Sequence, residues 1–212
     1  MVFDGGGIVR KCKWMVTMMV GLANDSSDSV PIYSLQWRHE SLESAVIFMQ
    51  LLNLIQQPGA IPSIADWHFA EWHRLFPQKT AQDFANDLAD CLHDSTQDEL
   101  QLPLPQTWLV LTDGAEVCGT VSLLLEDMAT NHDLSPWLAN VFIAAEFRGQ
   151  GLGKKVVQAA MAKAAARHIK TLYLFTEDQQ AFYERLGWRL LKQEHYEGEW
   201  VSVMYWHCQP NV

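Results

Sequence analysis

Arg148-Gly149-Gln150-Gly151-Leu152-Gly153-Lys154 stands between an apolar run at 137–143 with the character of a strand and an alanine-rich stretch at 152–168 with the character of a helix. A strand that runs into a glycine-rich turn and then a helix is a device for holding phosphates. The N–H groups of the first helical turn point at the anion, and the helix dipole favours negative charge there. Glycine permits close backbone approach and positive φ. Arg148 and Lys154 add full charges on either side. Spacing excludes two common phosphate motifs. A P-loop needs a glycine, four residues and then Gly-Lys-Ser/Thr, but Arg148 stands five before Gly153 and Lys155 follows Lys154. The dinucleotide fingerprint needs a third glycine three after the second, where Lys154 stands.

Outward from this turn the chain alternates strand and helix signals. Downstream, 171–176 reads as a short buried strand. Thr176 and Gln179 have capping-box spacing and start a helix, which Gly187 ends as a C′ residue. Segments 188–192 and 200–206 pair as a hairpin around Glu197-Gly198. Upstream, 108–112 and 117–125 form a hairpin with Asp113-Gly114 as its turn, followed by a polar loop at 126–136. Earlier still, 32–38 reads as a first strand. Segment 42–56 reads as a helix with Ala45, Phe48, Met49, Leu52 and Ile55 at helical spacing, stopped by Pro58-Gly59. Helices are expected at 65–76, ended by Pro77, and at 81–93. Trp67, Phe69, Trp72 and Leu75 do not fit on one helical face, so this segment is either broadly buried or lends aromatics to a pocket.

The composition is that of a globular chain: 212 residues, 49% apolar and 11% aromatic, length enough for a sizeable core. Fifteen basic against 25 acidic residues leave a net charge of −10, which argues against a general nucleic-acid binder and fits either a cationic partner or plain solubility. Cys12, Cys91, Cys118 and Cys208 are scattered, with no Cys-x-x-Cys pair to suggest zinc or a redox dithiol, so a reducing cytoplasm is the expected setting. Arg10, Lys11 and Lys13 precede an apolar run at 14–23 that is too short to span a bilayer. Residues 1–30 are read as a partly ordered N-terminal extension that ends in a polar linker at 23–29, and 31–212 as one domain. His68 and His73 flank Glu71, but their spacing is not that of a helical zinc pair, so no metal is expected and both are read as half-exposed helix residues. Trp67 and Trp72 are read as core packing.

Arg-x-x-Gly-x-Gly at a strand-to-helix turn resembles the acyl-coenzyme A signature of the GNAT superfamily of N-acetyltransferases. Ser135-Pro136-Trp137-Leu138-Ala139-Asn140-Val141-Phe142-Ile143 looks like that family's central strand and 171–176 like the next one. Phe182-Tyr183-Glu184-Arg185-Leu186-Gly187-Trp188 looks like its closing helix and turn. The resemblance covers about 108–207; one departure is Ala145, where the family often has proline. It implies an α/β fold with a mixed, mostly antiparallel sheet flanked by helices and a V-shaped splay between the two central strands. It also implies acetyl-coenzyme A as co-substrate. Arg148, Gly149, Gln150, Gly151, Leu152, Gly153 and Lys154 would cradle the pyrophosphate. The backbone of Val141, Phe142 and Ile143 on a bulged central strand would hold the pantetheine arm and polarise the thioester carbonyl.

A thioester is already activated, so such an enzyme needs to align it, accept a neutral amine and help the thiolate leave. Tyr183, in the first turns of the closing helix, is the candidate general acid: a phenol with an ordinary pKa near ~10 suits a thiolate near ~8.5. Glu126 is the favoured general base and Asp127 the next, with His132 and Asp133 in the loop that follows. No cysteine nucleophile is required. The expected acceptor is a small-molecule or peptide amine, and a homodimer is a common state of relatives. The alternative is a coenzyme A-binding sensor that has lost catalysis; a longer acyl donor, with room left by Ala139, Ala144 and Ala145, is a third reading.

Overall fold

A computed structural model describes residues 49–92, 100 and 102–208 of the chain. The expected N-terminal extension, its linker and the strand at 32–38 lie outside these residues, as do 42–48, while the helix expected at 81–93 ends at Ala89, with Asp90 and Cys91 in a turn. Among the described residues seven strands form one sheet: β1 (Gln50–Asn53), β2 (Gln106–Leu111), β3 (Val117–Leu124), β4 (Trp137–Ile143), β5 (Thr171–Thr176), β6 (Arg189–Tyr196) and β7 (Glu199–His207), in the order β1-β2-β3-β4-β5-β7-β6. Every neighbouring pair is antiparallel except β4 and β5. Among the described residues four α-helices accompany it: α1 (Ile61–Trp72), α2 (Ala81–Ala89), α3 (Leu152–Ala166) and α4 (Gln180–Glu184). No helix among the described residues is long and apolar enough to cross a membrane.

Strand β2 shows why its sequence lacks polar alternation: all six residues are buried. Trp108 and Val110 join the core under α3, and Leu109 and Leu111 join the core under α1 and α2. Successive strand residues point to opposite faces, so helices on both faces demand a continuous apolar run. In α3 the alanines at 160 and 164 are fully buried, where a small side chain lets the helix lie close to the sheet.

Local signals set most boundaries. Gly187 has φ +91°, with Trp188 N–H donating to Tyr183 O and Gly187 N–H to Glu184 O, a complete Schellman cap. Glu197 and Gly198 both have positive φ, as a two-residue type I′ hairpin requires. Thr80 and Asp83 form a capping box at the start of α2. The Thr176 hydroxyl accepts Gln179 N–H at 3.1 Å as its spacing implied, although α4 begins at Gln180.

Three expectations need correction. Residues 50–53 are strand β1, not helix, and 54–56 and 58–60 are 3-10 turns. Leucine and glutamine favour helices, but pairing with β2 from Gln50↔Leu111 to Asn53↔Trp108 outweighs that weak preference. Asn53 then ends the strand, its side chain accepting Ile55 N–H at 3.1 Å. Helix α1 begins at Ile61, four residues before the expected start, because Pro62 fits a first turn, and it stops at Trp72, well before Pro77. In the β2–β3 hairpin the positive φ falls on Ala115 at 59° and not on Gly114.

Candidate functional site

The site grows from β4. Thr120 pairs with Phe142 and Ser122 with Ala139, so Asn140 and Val141 together face Val121 alone. This is a β-bulge. Its mark on the core is that Leu138 and Ile143, five residues apart, lie in the same core cluster, which strict alternation forbids. Asn140 takes the bend at φ 52°, a region asparagine enters more readily than most side chains. On its other edge β4 meets β5 through the single pair Trp137↔Tyr173 and then separates from it. The splay that the resemblance implied is therefore present, and along 139–143 β4 has no strand partner on that side among the described residues.

Beneath the bulge lies a buried polar chain. Thr120 Oγ1 donates to Asn140 O at 2.9 Å and contacts His68 Nε2 at 2.9 Å. One hydroxyl has one proton, so Thr120 accepts from His68, whose neutral ring carries its hydrogen on Nε2. Burial pushes the His68 imidazole down to about 3, which keeps it neutral throughout the working range of an amine. From the asparagine side chain a second chain runs Asn140 Nδ2 to Ser122 Oγ at 3.0 Å, on to Thr107 Oγ1 at 2.7 Å and to Cys91 Sγ at 3.2 Å. His68 is thus a buried, hydrogen-bonded residue, not the half-exposed one expected, while His73 is exposed and bonds Phe69 O at 3.0 Å.

After β4 the chain enters the glycine turn. Gly149 and Gly151 both have φ +76°, which explains glycine at these positions, and open space surrounds each. Gly151 caps α3 without any side-chain bond. The N–H groups from Gly149 to Lys154 have no hydrogen-bond partner among the described residues. Lys154 is exposed and without a partner among the described residues. Arg148 is differently placed than a free phosphate charge. Its Nε donates to Ile143 O at 2.7 Å, its Nη2 to Glu71 at 3.0 Å, and its guanidinium lies 5.5 Å over the Phe142 ring. It braces the turn against α1. Both members of the Arg148–Glu71 pair are about half exposed, so the pair is weak enough for a competing anion to draw the guanidinium away. Gln150 bonds Glu146 O at 3.3 Å. Phe142 is the hub of this wall: Trp67 stacks on it at 5.5 Å and Trp72 meets it edge-on at 6.3 Å. Val141 is half-buried, and Phe142 and Ile143 are buried.

Tyr183 lies in the core between Phe182 and Trp188, only 9% exposed, and its hydroxyl has no hydrogen-bond partner among the described residues. Burial raises its phenol above the ordinary value, and the charge of nearby Asp127 raises it further. Burial likewise pushes the Asp127 carboxyl up to about 7, against a weaker pull from Lys79. Glu126 sits one residue earlier but is exposed, 3.9 Å from His132. Two straps cross from the β3–β4 side of the splay to the β5–β7 side. In the α1–α2 connection Arg74 pairs with both Glu177 and Glu199, and Phe76 meets Tyr196 edge-on at 6.5 Å. In the β3–β4 loop Ala129 N–H donates to Tyr196 Oη at 3.3 Å, and Asn131 bonds Glu194 and Lys192.

The fold puts the glycine turn after β4, and Phe182, the neighbour of Tyr183 in the chain, lies 3.8 Å from a Cβ built on Gly153. Sequence reasoning missed His68, Thr120 and Asn140. Their signal was present as polar residues inside apolar runs, Thr120 and Ser122 in β3 and Asn140 in β4, all at positions a sheet core disfavours.

Comparison with known proteins accords with this geometry. Residues 105–190 match a family model described as an acetyltransferase (GNAT) domain. No curated protein sequence matches the chain. Among solved structures, an aminoglycoside 6′-acetyltransferase type Ii is similar at 16% identity and TM-score 0.57, over 78% of this chain and 99% of that one. A GNAT-family acetyltransferase from Staphylococcus aureus is similar at 17% identity and TM-score 0.54, over 76% and 99%. A spermidine N-acetyltransferase chimera from Vibrio cholerae and hSSAT is similar at 16% identity and TM-score 0.53, over 75% and 94%.

Proposed function

We propose that this chain, which belongs to the GNAT superfamily of acetyltransferases, moves an acetyl group from acetyl-coenzyme A to a primary amine by direct attack in a ternary complex. The observation that carries the reading is the continuity of unpaired backbone donors. The free edge of β4 leads straight into the unpartnered N–H groups from Gly149 to Lys154. A carrier with an anionic end and an extended amide-bearing arm has the shape and polarity of that track. Lys154, with Arg148 recruited from Glu71, supplies positive charge for the diphosphate. Acetyl-coenzyme A brings the activated thioester; the chain supplies alignment and two proton transfers.

In this reading Asp127 accepts the proton of the incoming ammonium, a role Glu126 is too exposed to perform in a dry cleft. The amine nitrogen then bonds the thioester carbon, the C–S bond breaks, Tyr183 gives its proton to the departing sulfur, and the second proton of the nitrogen leaves through solvent, which reloads the phenolate. The two groups are coupled. Once Asp127 is protonated its charge no longer holds the Tyr183 proton in place, so the first transfer makes the second easier. With the Asp127 carboxyl at about 7, the rate is expected to rise as pH climbs through that value, because only the ionised form accepts a proton. Asp127→Asn is expected to abolish that limb of the pH profile and lower kcat/KM for the amine on the order of 100-fold at pH 7.5. A Glu126→Gln variant serves as control and is expected to retain the profile. An unaltered acidic limb in Asp127→Asn removes Asp127 as the base.

The acceptor we infer is a small cationic amine. A chain of net charge −10 attracts cations. Two of the similar folds bear the names of aminoglycoside and spermidine acetyltransferases. The test is direct: acetyl-coenzyme A is mixed with the chain and a panel of diamines, aminoglycosides and peptides, and free thiol is measured. Thiol release with at least one amine is the expected result. Tight coenzyme binding with no release on any amine points instead to a sensor without catalysis.

A further inference from the structure

We infer that His68 and Thr120 are positioning residues that aim the Val141 N–H at the thioester carbonyl, through a hydrogen-bond chain from α1 to the bulge of β4. The inference rests on the acyl-transfer reading above. It begins with the planar trans peptide, in which C=O and N–H point in opposite directions. Asn140 O and Val141 N–H belong to one such plane. Thr120, on β3, holds Asn140 O at 2.9 Å. The Val141 N–H at the other end of the plane is therefore turned away from β3, toward the side where β4 has parted from β5. Val141 has no pairing partner on either neighbouring strand.

A bulge with one residue at positive φ has several peptide orientations of similar energy, so something must select this one. Three observations identify the selector. The Thr120 side chain is fully buried and has a single hydroxyl proton, which it gives to Asn140 O. His68, 1% exposed, donates to the same hydroxyl from α1 at 2.9 Å, so the Thr120 proton cannot turn toward the ring. The Asn140 side chain is fixed separately to Ser122 at 3.0 Å, which prevents the plane from rolling about the Asn140 backbone. The His68 ring is in turn clamped by aromatic edges, with Trp72 at 4.7 Å and Phe142 at 6.3 Å. A buried histidine that bonds only a threonine among the described residues would be a costly core residue unless the bond sets an orientation. Preorganised donors aimed at a developing oxyanion are where most of the rate advantage of such a site arises.

The test uses the full chain and the carbonyl stretching frequency of bound acetyl-coenzyme A, read by isotope-edited infrared difference spectroscopy. A carbonyl that accepts a hydrogen bond vibrates at lower frequency than in solution. Thr120→Val keeps the volume and removes the hydroxyl. It is expected to bind acetyl-coenzyme A within about 3-fold of the unaltered chain, to return the frequency toward the solution value, and to lose on the order of 10- to 100-fold in kcat. Thr120→Ser, which restores the hydroxyl, is expected to recover both. His68→Phe keeps a ring in the aromatic clamp and leaves Thr120 free to rotate, so it is expected to shift the frequency part of the way. An unshifted frequency in every folded variant of this pair overturns the inference while leaving acyl transfer intact. Failure of the unaltered chain to bind acetyl-coenzyme A overturns both.

Discussion

Tyr183→Phe is expected to lower kcat by about 100-fold or more while the affinity for acetyl-coenzyme A stays as it was. The reason lies in what the hydroxyl does and does not touch. The ring is held between Phe182, with centroids 5.1 Å apart, and Trp188, at 6.0 Å, and phenylalanine fills the same space. The hydroxyl has no partner among the described residues, so its removal orphans no buried donor or acceptor. Stability should therefore change little, and the loss should fall on the chemical step. The phenol stays protonated well into alkaline solution because burial and Asp127 both raise it. An acid that remains loaded at every working pH predicts no alkaline limb from Tyr183 in the unaltered enzyme. Steady-state kinetics with separate titration of coenzyme binding checks this, and unchanged turnover would remove Tyr183 from the mechanism.

The second large effect concerns a residue with no side chain. Gly119 of β3 pairs with Ile143 of β4, and a Cβ built there would lie 2.3 Å from Phe142 O and 2.9 Å from Ile143 Cδ1. The nearer atom is backbone, so relief requires the strands to part. Gly119→Ala is expected to cost about 3 kcal/mol, which corresponds to a fall of roughly 5–10 °C in Tm for a domain of this size. The displacement would act on the segment of β4 that leads into the glycine turn, so acetyl-coenzyme A affinity should fall with it. Gly114→Ala is the control: the nearest atom to its Cβ is Thr112 Oγ1 at 3.7 Å, and little change is expected. Thermal unfolding of the two variants side by side distinguishes the cases, and a Tm for Gly119→Ala within a degree of the parent would refute the clash.

What the amino-acid order determined here is whatever depends on neighbours in the chain. The turn from Gly149 to Lys154 was legible because positive φ demands glycine and a helix start leaves its amides free. The closing hairpin and the end of α4 were legible for similar reasons, since Glu197-Gly198 and Gly187 are local conformational signals. Tyr183 is named as the candidate acid from the family resemblance of 182–188, and that role is our proposal. Tertiary structure alone decided the rest. Residues 50–53 became a strand because β2 offered an edge, not because leucine and glutamine prefer one. Arg148 turned to Ile143 O and Glu71, a partner 77 positions away, and Asp127 is less exposed than Glu126 in a loop tied to Tyr196 and Glu194. The bulge at Asn140 owes its direction to Thr120 and His68, from two other elements. Backbone torsion is written in the residue that bears it, whereas burial, pairing and the aim of a polar group depend on partners that only folding brings within reach.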